Sequence, residues 1–378
     1  MLLPYTFGIL RGLGLWHMEN NSGWRIFFQD IHCYVVIIIV YAEVLFESIA
    51  LFGTFNDLEQ FVASSIIYLT MIGVCGKMAN IVIKRKEILN LINILKADPC
   101  WYRNAEEKNI QDKFDKTINY RTLAFLVVTE SVIVSTVSIS IVRDTPNRSM
   151  FYNSWLPFDT STFFGYWVAY IHQVIAHFCG ALVNVAYDTL IPGLMLKICS
   201  QLSILEYRLK LLCDNNYFSD LSGDVKQKET DAISECVKHH LQIFQLAERA
   251  NKVFNIVMFL QFSISTFVIC VTIYKLSQVE ITDPEFTSMI IYGLCMLAQI
   301  FGTCLASTEC NLKSFEIATA VYQTTWYDLN IDTQKSLFII MTRSSRPLRF
   351  NAGNFIDVSL NSYNQLIKLS YSAYNVLK

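Results

Sequence analysis

The sequence predicts an all-α membrane protein with seven transmembrane helices, and three observations carry that reading. Apolar residues make up 53% of the 378 residues, charged ones only 16%, and the mean hydropathy is +0.35; soluble domains carry about a quarter charged residues. Seven apolar segments long enough to cross a bilayer follow one another along the chain. Lys and Arg are concentrated in alternate connections between those segments.

The segments run at about 31–53, 62–83, 122–142, 163–196, 253–274, 287–307 and 355–377. The fourth is long enough to continue as a helix beyond the membrane. Residues 1–30 hold Arg11, Glu19, Arg25 and Asp30 and no long apolar core, so they do not read as a secretory signal.

Orientation follows from the cations. The connections 84–121, 197–252 and 308–354 hold 22 Lys and Arg, against three in 54–61, 143–162 and 275–286. Positively charged connections stay inside, which predicts a cytoplasmic N-terminus and an extracellular C-terminus. Asn147-Arg148-Ser149, a glycosylation sequon, then falls in an outer loop, whereas Asn20-Asn21-Ser22 would be cytoplasmic and unused. A G-protein-coupled receptor runs the other way. Its Asp/Glu-Arg-Tyr, its Asn-Pro-x-x-Tyr and its outer cysteine pair are also missing.

The connections near the fourth and fifth segments are amphipathic. Leu194, Ile198, Leu202, Leu205, Leu209 and Leu212 repeat at helical spacing, as do Ile233, Val237, Leu241, Phe244 and Ala247. Such stripes predict a packed intracellular bundle, with 214–231 as a polar loop between. The chain divides accordingly into 1–196 (helices 1–4), 197–252 (cytoplasmic extension), 253–307 (helices 5 and 6), 308–354 (cytoplasmic helix and connection) and 355–378 (helix 7).

Enzyme chemistry finds no support. There is no glycine-rich phosphate loop, no His-Glu-x-x-His and no Gly-x-Ser-x-Gly. The eleven cysteines offer no C-x-x-C and no pair in an outer loop, so neither a zinc site nor a disulfide framework is expected. His239 and His240 point about 100° apart on a helix, a poor chelate. His172 and His177 in the fourth segment could serve a pocket or simply pack. Glu43, Glu47, Lys77, Glu130, Asp188, Asp357 and Lys368 lie within or near spans, where charge is a functional hypothesis by default. No cofactor and no nucleic acid is expected.

The last segment is too polar for a helix bathed in lipid. Asn354, Asp357, Asn361, Gln365, Lys368, Ser372 and Asn375 recur every three or four residues, within an arc of roughly 80° on a helix. Such a stripe lines either water or a polar seam between helices. The outer halves of segments two, three, four and six are rich in aromatic, small and sulfur-containing side chains. That composition suits either a cavity for a small apolar ligand or ordinary packing.

The C-terminal third carries Ala320 to Leu329, Lys335-Ser-Leu, Arg343-Ser-Ser-Arg-Pro347-Leu, Asn351-Ala-Gly353 and Ser370-Tyr-Ser-Ala-Tyr-Asn-Val-Leu377. In these residues it resembles the insect odorant receptors. His240 to Glu248, Gln261-Phe, Cys270, Leu156-Pro-Phe-Asp-Thr-Ser and Gln299-Ile-Phe agree with it. Ala373 stands where family members usually carry an aromatic. The resemblance implies an odour-tuned subunit of a heterotetrameric, ligand-gated cation channel, built with a shared co-receptor in the plasma membrane of olfactory sensory neurons. It implies a volatile odorant held by Ser65, Tyr68, Leu69, Val134, Ser135, Ser138, Tyr166, Tyr170, Val174, Tyr292 and Met296. It also implies a pore lined by the last helix, with Asn361, Gln365 and Lys368 in the vestibule and Ser372, Tyr374, Asn375 and Leu377 at the gate. Tyr374 falls roughly 140° from the stripe's centre, so the gate position and the stripe disagree about the last turn. The alternatives are a metabotropic chemoreceptor, a gustatory receptor of the same superfamily, a small-solute transporter, or the co-receptor itself.

Overall fold

The computed structural model describes residues 2–16, 23–54, 56–152, 154–213, 225–279 and 284–377. The second sequon and the loop 214–224 lie outside the described residues, as do the side chains of Ala373 and Leu377. In chain order the elements are α1 (Pro4–Gly12), α2 (Gly23–Gly53), α3 (Leu58–Ile83), α4 (Arg85–Lys96), α5 (Ala105–Arg143), α6 (Phe163–Leu212), α7 (Val225–Leu276), α8 (Pro284–Tyr322), α9 (Ile331–Ser344), β1 (Asn351–Ala352), β2 (Ile356–Asp357) and α10 (Leu360–Leu377). Short 3₁₀ turns follow α5 and α8.

Six helices, α2, α3, α5, α6, α7 and α8, are long and apolar enough to cross a membrane. Each covers one expected apolar segment, and four overshoot it at the basic end. α5 begins at Ala105, where Asn104 accepts the Glu107 N–H at 2.8 Å and satisfies one of the free donors of the first turn. α6 starts behind a Thr162 cap on Gly165 N–H at 3.1 Å and runs 50 residues to Leu212. It passes through Pro192, tolerated because neighbouring helices surround it. α6 is the central post, packed against α1, α2, α3, α5, α7 and α8.

The basic end is a helical bundle of its own. Leu194, Ile198, Leu202, Leu205, Leu209 and Leu212 are all buried, as the α6 stripe predicts. On α7 the stripe needs correcting. Ile233, Phe244 and Ala247 are buried, but Val237 and Leu241 are exposed, and the inner face is completed by Cys236, His240 and Ile243. The face expected from apolar periodicity is therefore rotated, because two histidines take core positions. His239 Nε2 meets Gln201 Oε1 at 2.9 Å, and its Nδ1 lies 3.2 Å from Arg208. Arg208 donates twice to Glu107, at 2.8 Å each, and once each to the carbonyls of Pro99 and Trp101. Burial lowers the His239 pKa well below the ordinary range, and the charge of Arg208 adds to that. Burial raises the Glu107 pKa, but the Arg208 and Arg103 donors outweigh it and hold the carboxyl low.

The last helix is shorter than the expected segment 355–377. Residues 351–357 form an antiparallel hairpin, Asn351 opposite Asp357 and Ala352 opposite Ile356. Its turn uses two left-handed residues, Gly353 (φ 63°) and Asn354 (φ 63°). A Cβ on Gly353 would fall 2.6 Å from the Phe259 ring, so only glycine lets the turn sit on α7. Asn251 and Asn255 of α7 hold the hairpin. Asn251 Oδ1 accepts from Asn351 N at 2.8 Å, and the Asn255 carbonyl accepts from Gly353 N at 3.2 Å. Asn354 and Asp357 consequently belong to the hairpin, not to the helical stripe. α10 then spans 18 residues, about 27 Å at 1.5 Å per residue.

Candidate ligand cavity and outward-facing helix

A cavity of about 370 Å³ lies between α3, α5, α6 and α8, with two residues of α7 at its edge. Its walls are mostly apolar: Ile66, Ile67, Met71 and Val74 from α3, Phe125, Val132, Ile133 and Ile139 from α5, Met289, Tyr292 and Met296 from α8. Small residues on α6, Gly180 and Ala181, make the room. At Gly180 a Cβ would meet Met71 Sδ at 3.0 Å, so α3 and α6 already touch through their smallest side chain.

Polar side chains interrupt these walls and several pair with one another, while Thr129 Oγ1 is buried without a partner. Thr70 Oγ1 and the Tyr292 hydroxyl share a 2.5 Å hydrogen bond across the cavity wall. Asn184 donates to Gln299 at 3.2 Å, and Gln299 donates to the Met296 thioether at 3.0 Å. Asn184 also accepts from Lys77 Nζ at 2.5 Å, and Lys77 pairs with Asp188 at 2.7 Å; both charged groups are buried. A polar chain thus runs from the cavity into the centre of the bundle. His177 completes the wall on the α2 side, with the Phe151 and Tyr152 rings packed on it at centroid separations of 5.9 Å and 4.6 Å. A second, more open cavity of about 510 Å³ lies between α5, α6 and α8. It shares Phe125, Cys295 and Gln299 with the first.

Of the ligand residues expected from sequence, Tyr292 and Met296 line the cavity. The others stand elsewhere. Ser65 is buried with its hydroxyl on the Val62 carbonyl at 2.8 Å, Tyr68 accepts from Ser48 at 3.1 Å, and Leu69 is partly buried outside the cavity wall. On α3 the cavity face is Ile66, Ile67 and Thr70. Val134, Ser135 and Ser138 are exposed on the far side of α5, away from the cavity face of Val132, Ile133 and Thr136. Tyr166 and Tyr170 form a separate cluster with Phe151, with Val174 packed against it. The tyrosine hydroxyls hold Ser149 O at 3.0 Å and Ser140 Oγ at 3.1 Å, fastening the 149–152 loop over the cavity. His177, offered for a pocket by the sequence, lines the cavity; Asn184 and Gln299 were not so offered, and intramembrane polarity was the available signal for them.

α10 packs on α7 and α8 through one face only. Leu366 and Ser370 are buried on that face, Tyr363 and Tyr374 are partly buried, and Phe301 meets Tyr363 edge-on at 5.5 Å. Asn361, Gln365, Lys368, Ser372 and Asn375 are all exposed. At 100° per residue they sit roughly 180° from the packed face. The stripe therefore points away from its own protomer and is not an internal seam. Tyr374 lies on the packed side, and the helix stays regular through Leu377. Asn147 is exposed in the 3₁₀ turn after α5.

The chain is similar throughout to one group of proteins. A sequence model described as 7tm Odorant receptor matches residues 57–371. Odorant receptor 85b of Drosophila melanogaster is 24% identical over 351 residues, 88% of this chain and 86% of the relative. Odorant receptor Or2 of Anopheles gambiae is 20% identical over 339 residues, covering 88% of each chain. The structure of the insect olfactory receptor OR5 from Machilis hrabei superposes with a TM-score of 0.86 at 18% identity, over 98% of this chain and 96% of that one. The same receptor in complex with eugenol gives 0.85 at 17% identity, over 99% and 97%.

Proposed function

This chain belongs to the odorant receptor family, and on that premise we propose that it is an odour-tuned subunit of a heterotetrameric cation channel formed with a co-receptor. The apolar cavity between α3, α5, α6 and α8 takes a small volatile ligand, anchored by Thr70, Tyr292 and Asn184. α10 of each subunit lines a central pore, with Asn361, Gln365 and Lys368 facing the vestibule and Ser372 and Asn375 at the gate. The single observation that carries this reading is the exposure of the whole polar stripe on a helix of membrane length. Hydrocarbon on that face would cost several kcal/mol, and a water-filled axis shared by several subunits removes the cost.

The basic end lies in the cytoplasm, and the cavity and Asn147 lie toward the outside, where Asn147 carries a glycan. Val237, Leu241, Phe338 and Ile339, all exposed, join subunits there. The protein resides in the plasma membrane of olfactory sensory neurons. Gating is differential binding: the ligand favours the open arrangement and shifts its population.

Co-expression with a co-receptor, challenged with an odorant panel, tests this. The expected result is an odorant-dependent cation current that requires both chains. A ligand response that persists without the co-receptor and depends on G proteins would overturn it.

A further inference from the structure

We propose that Glu43 and Glu47 of α2 and His177 of α6 form a binding site for a divalent metal ion of the zinc class. Their ligand atoms lie within 4.8 Å of one another, and all three residues are buried. A fourth donor adjoins: His172 Nδ1 is 3.0 Å from Glu43 Oε2.

The tautomer of His177 makes the argument. Its Nδ1 lies 2.8 Å from the Gln173 carbonyl oxygen, which can only accept, so Nδ1 carries the proton. In the neutral ring Nε2 then presents a lone pair. That lone pair is aimed at Glu47 Oε1, 3.2 Å away, another acceptor, and Nε2 has no hydrogen-bond partner. A ring nitrogen fixed by a backbone carbonyl, with the opposite nitrogen facing carboxylates, is the arrangement of metal-binding histidines. Two ligands about 2.1 Å from one ion are at most about 4.2 Å apart. The 3.2 Å pair already satisfies that, and the 4.8 Å bound on the set exceeds it by about 0.6 Å.

Charge points the same way. The four carboxylate oxygens of Glu43 and Glu47 are buried without hydrogen bonds. Among the described residues neither glutamate has a Lys or Arg partner; the nearby buried lysine, Lys77, is committed to Asp188 and Asn184. Histidines are the only basic side chains paired with the two buried carboxylates among the described residues; buried anions in the membrane are costly, and one dication held by the same side chains neutralises both. Carboxylate and imidazole donors without thiolate suit zinc and its neighbours. His177 is also part of the cavity wall, which gives an ion a route in.

The test uses the purified full chain in lipid nanodiscs, stripped with chelator and reloaded with Zn²⁺ or Co²⁺. One ion per chain is expected, with a cobalt ligand-field spectrum of nitrogen and oxygen donors. His177→Asn and Glu47→Gln should each weaken binding about tenfold or more, while His32→Gln, on the exposed side of α2, leaves it unchanged. Should a variant fail to fold, the wild-type cobalt spectrum decides alone. No retained ion, a thiolate charge-transfer band, or binding undiminished in both folded variants would each overturn the site. None of these readouts depends on channel activity.

Discussion

Lys77 and Asp188 meet at 2.7 Å between α3 and α6, with both side chains almost fully withdrawn from solvent. Tyr187, next to Asp188, donates to Asn80 Oδ1 at 2.9 Å and offers its ring to Lys77 at 6.0 Å. A pair this deep stabilises little by itself, because desolvating the two ions consumes most of their attraction, but removing one partner strands the other.

Asp188→Asn or Lys77→Met alone should destabilise the folded chain by about 3–5 kcal/mol, and Lys77→Met/Asp188→Leu together by much less. Surface expression and thermal melting of nanodisc-held protein read both. Additive losses in the double variant would contradict the coupling.

Gly353→Ala should destabilise the hairpin by about 1–3 kcal/mol, from the left-handed backbone and the Phe259 contact together. Phe259→Leu in the same chain should recover part of the loss in melting temperature. Unchanged stability of the single variant would show that the turn has room the geometry denies.

Ala181→Phe fills the cavity and should raise the ligand concentration for half-maximal current about tenfold or more. Ser135→Ala and Ser138→Ala lie on the exposed face of α5 and should leave the dose-response in place. The reverse ranking would move the binding site to the outer face of α5.

Lys368→Glu reverses the one charge in the α10 stripe and should increase permeability to divalent over monovalent cations. Ser370→Ala, buried against α7 with its hydroxyl on the Leu366 carbonyl at 3.0 Å, should not. Tyr374→Ala, on the packed side of α10, should leave the permeability ratio in place, and reversal-potential recordings separate the three variants.

Acid should loosen the basic end first. Burial, and next Arg343, lowers His240 from 6.5 to about 4. The unfolded chain therefore takes up a proton near pH 6.5 that the folded one refuses. Stability is full above pH 6.5 and declines as pH falls toward about 4, a span worth about 3 kcal/mol. Glu107, held low, adds a loss below its unfolded value of 4.5. Hydrogen-exchange protection factors in residues 233–250, which divide out the intrinsic pH dependence of amide exchange, should fall between pH 7 and 5, and His240→Gln should flatten that dependence.

Much of this molecule is readable from residue order. Hydropathy located every long helix, because a bilayer demands about twenty apolar residues whatever surrounds them. Leu194 to Leu212 found their face because six aliphatic residues at helical spacing mark one stripe, and the polar pairs of Gln201 and Arg208 sit beside it without displacing it. The cavity is different. Ser65 and Tyr68 differ from Ile66, Ile67 and Thr70 by one or two positions, and each position is 100° of rotation. In a helix apolar all round, nothing in the pattern favours one face. Tyr166 and Tyr170 pack with Phe151, and the Tyr166 hydroxyl holds a loop whose path no periodicity records. The β-hairpin was hidden too, since Asn354 and Asp357 happen to continue the spacing of α10.

α10 meets its own subunit through a single face, whereas the cavity is enclosed by four helices that do not include it. On the proposed function, recognition and conduction occupy separate stretches of the chain: a change at Ile66, Ile133 or Met296 would reshape the cavity without touching the α10 stripe, so subunits tuned to unlike scents would share one conduit wherever their α10 helices match.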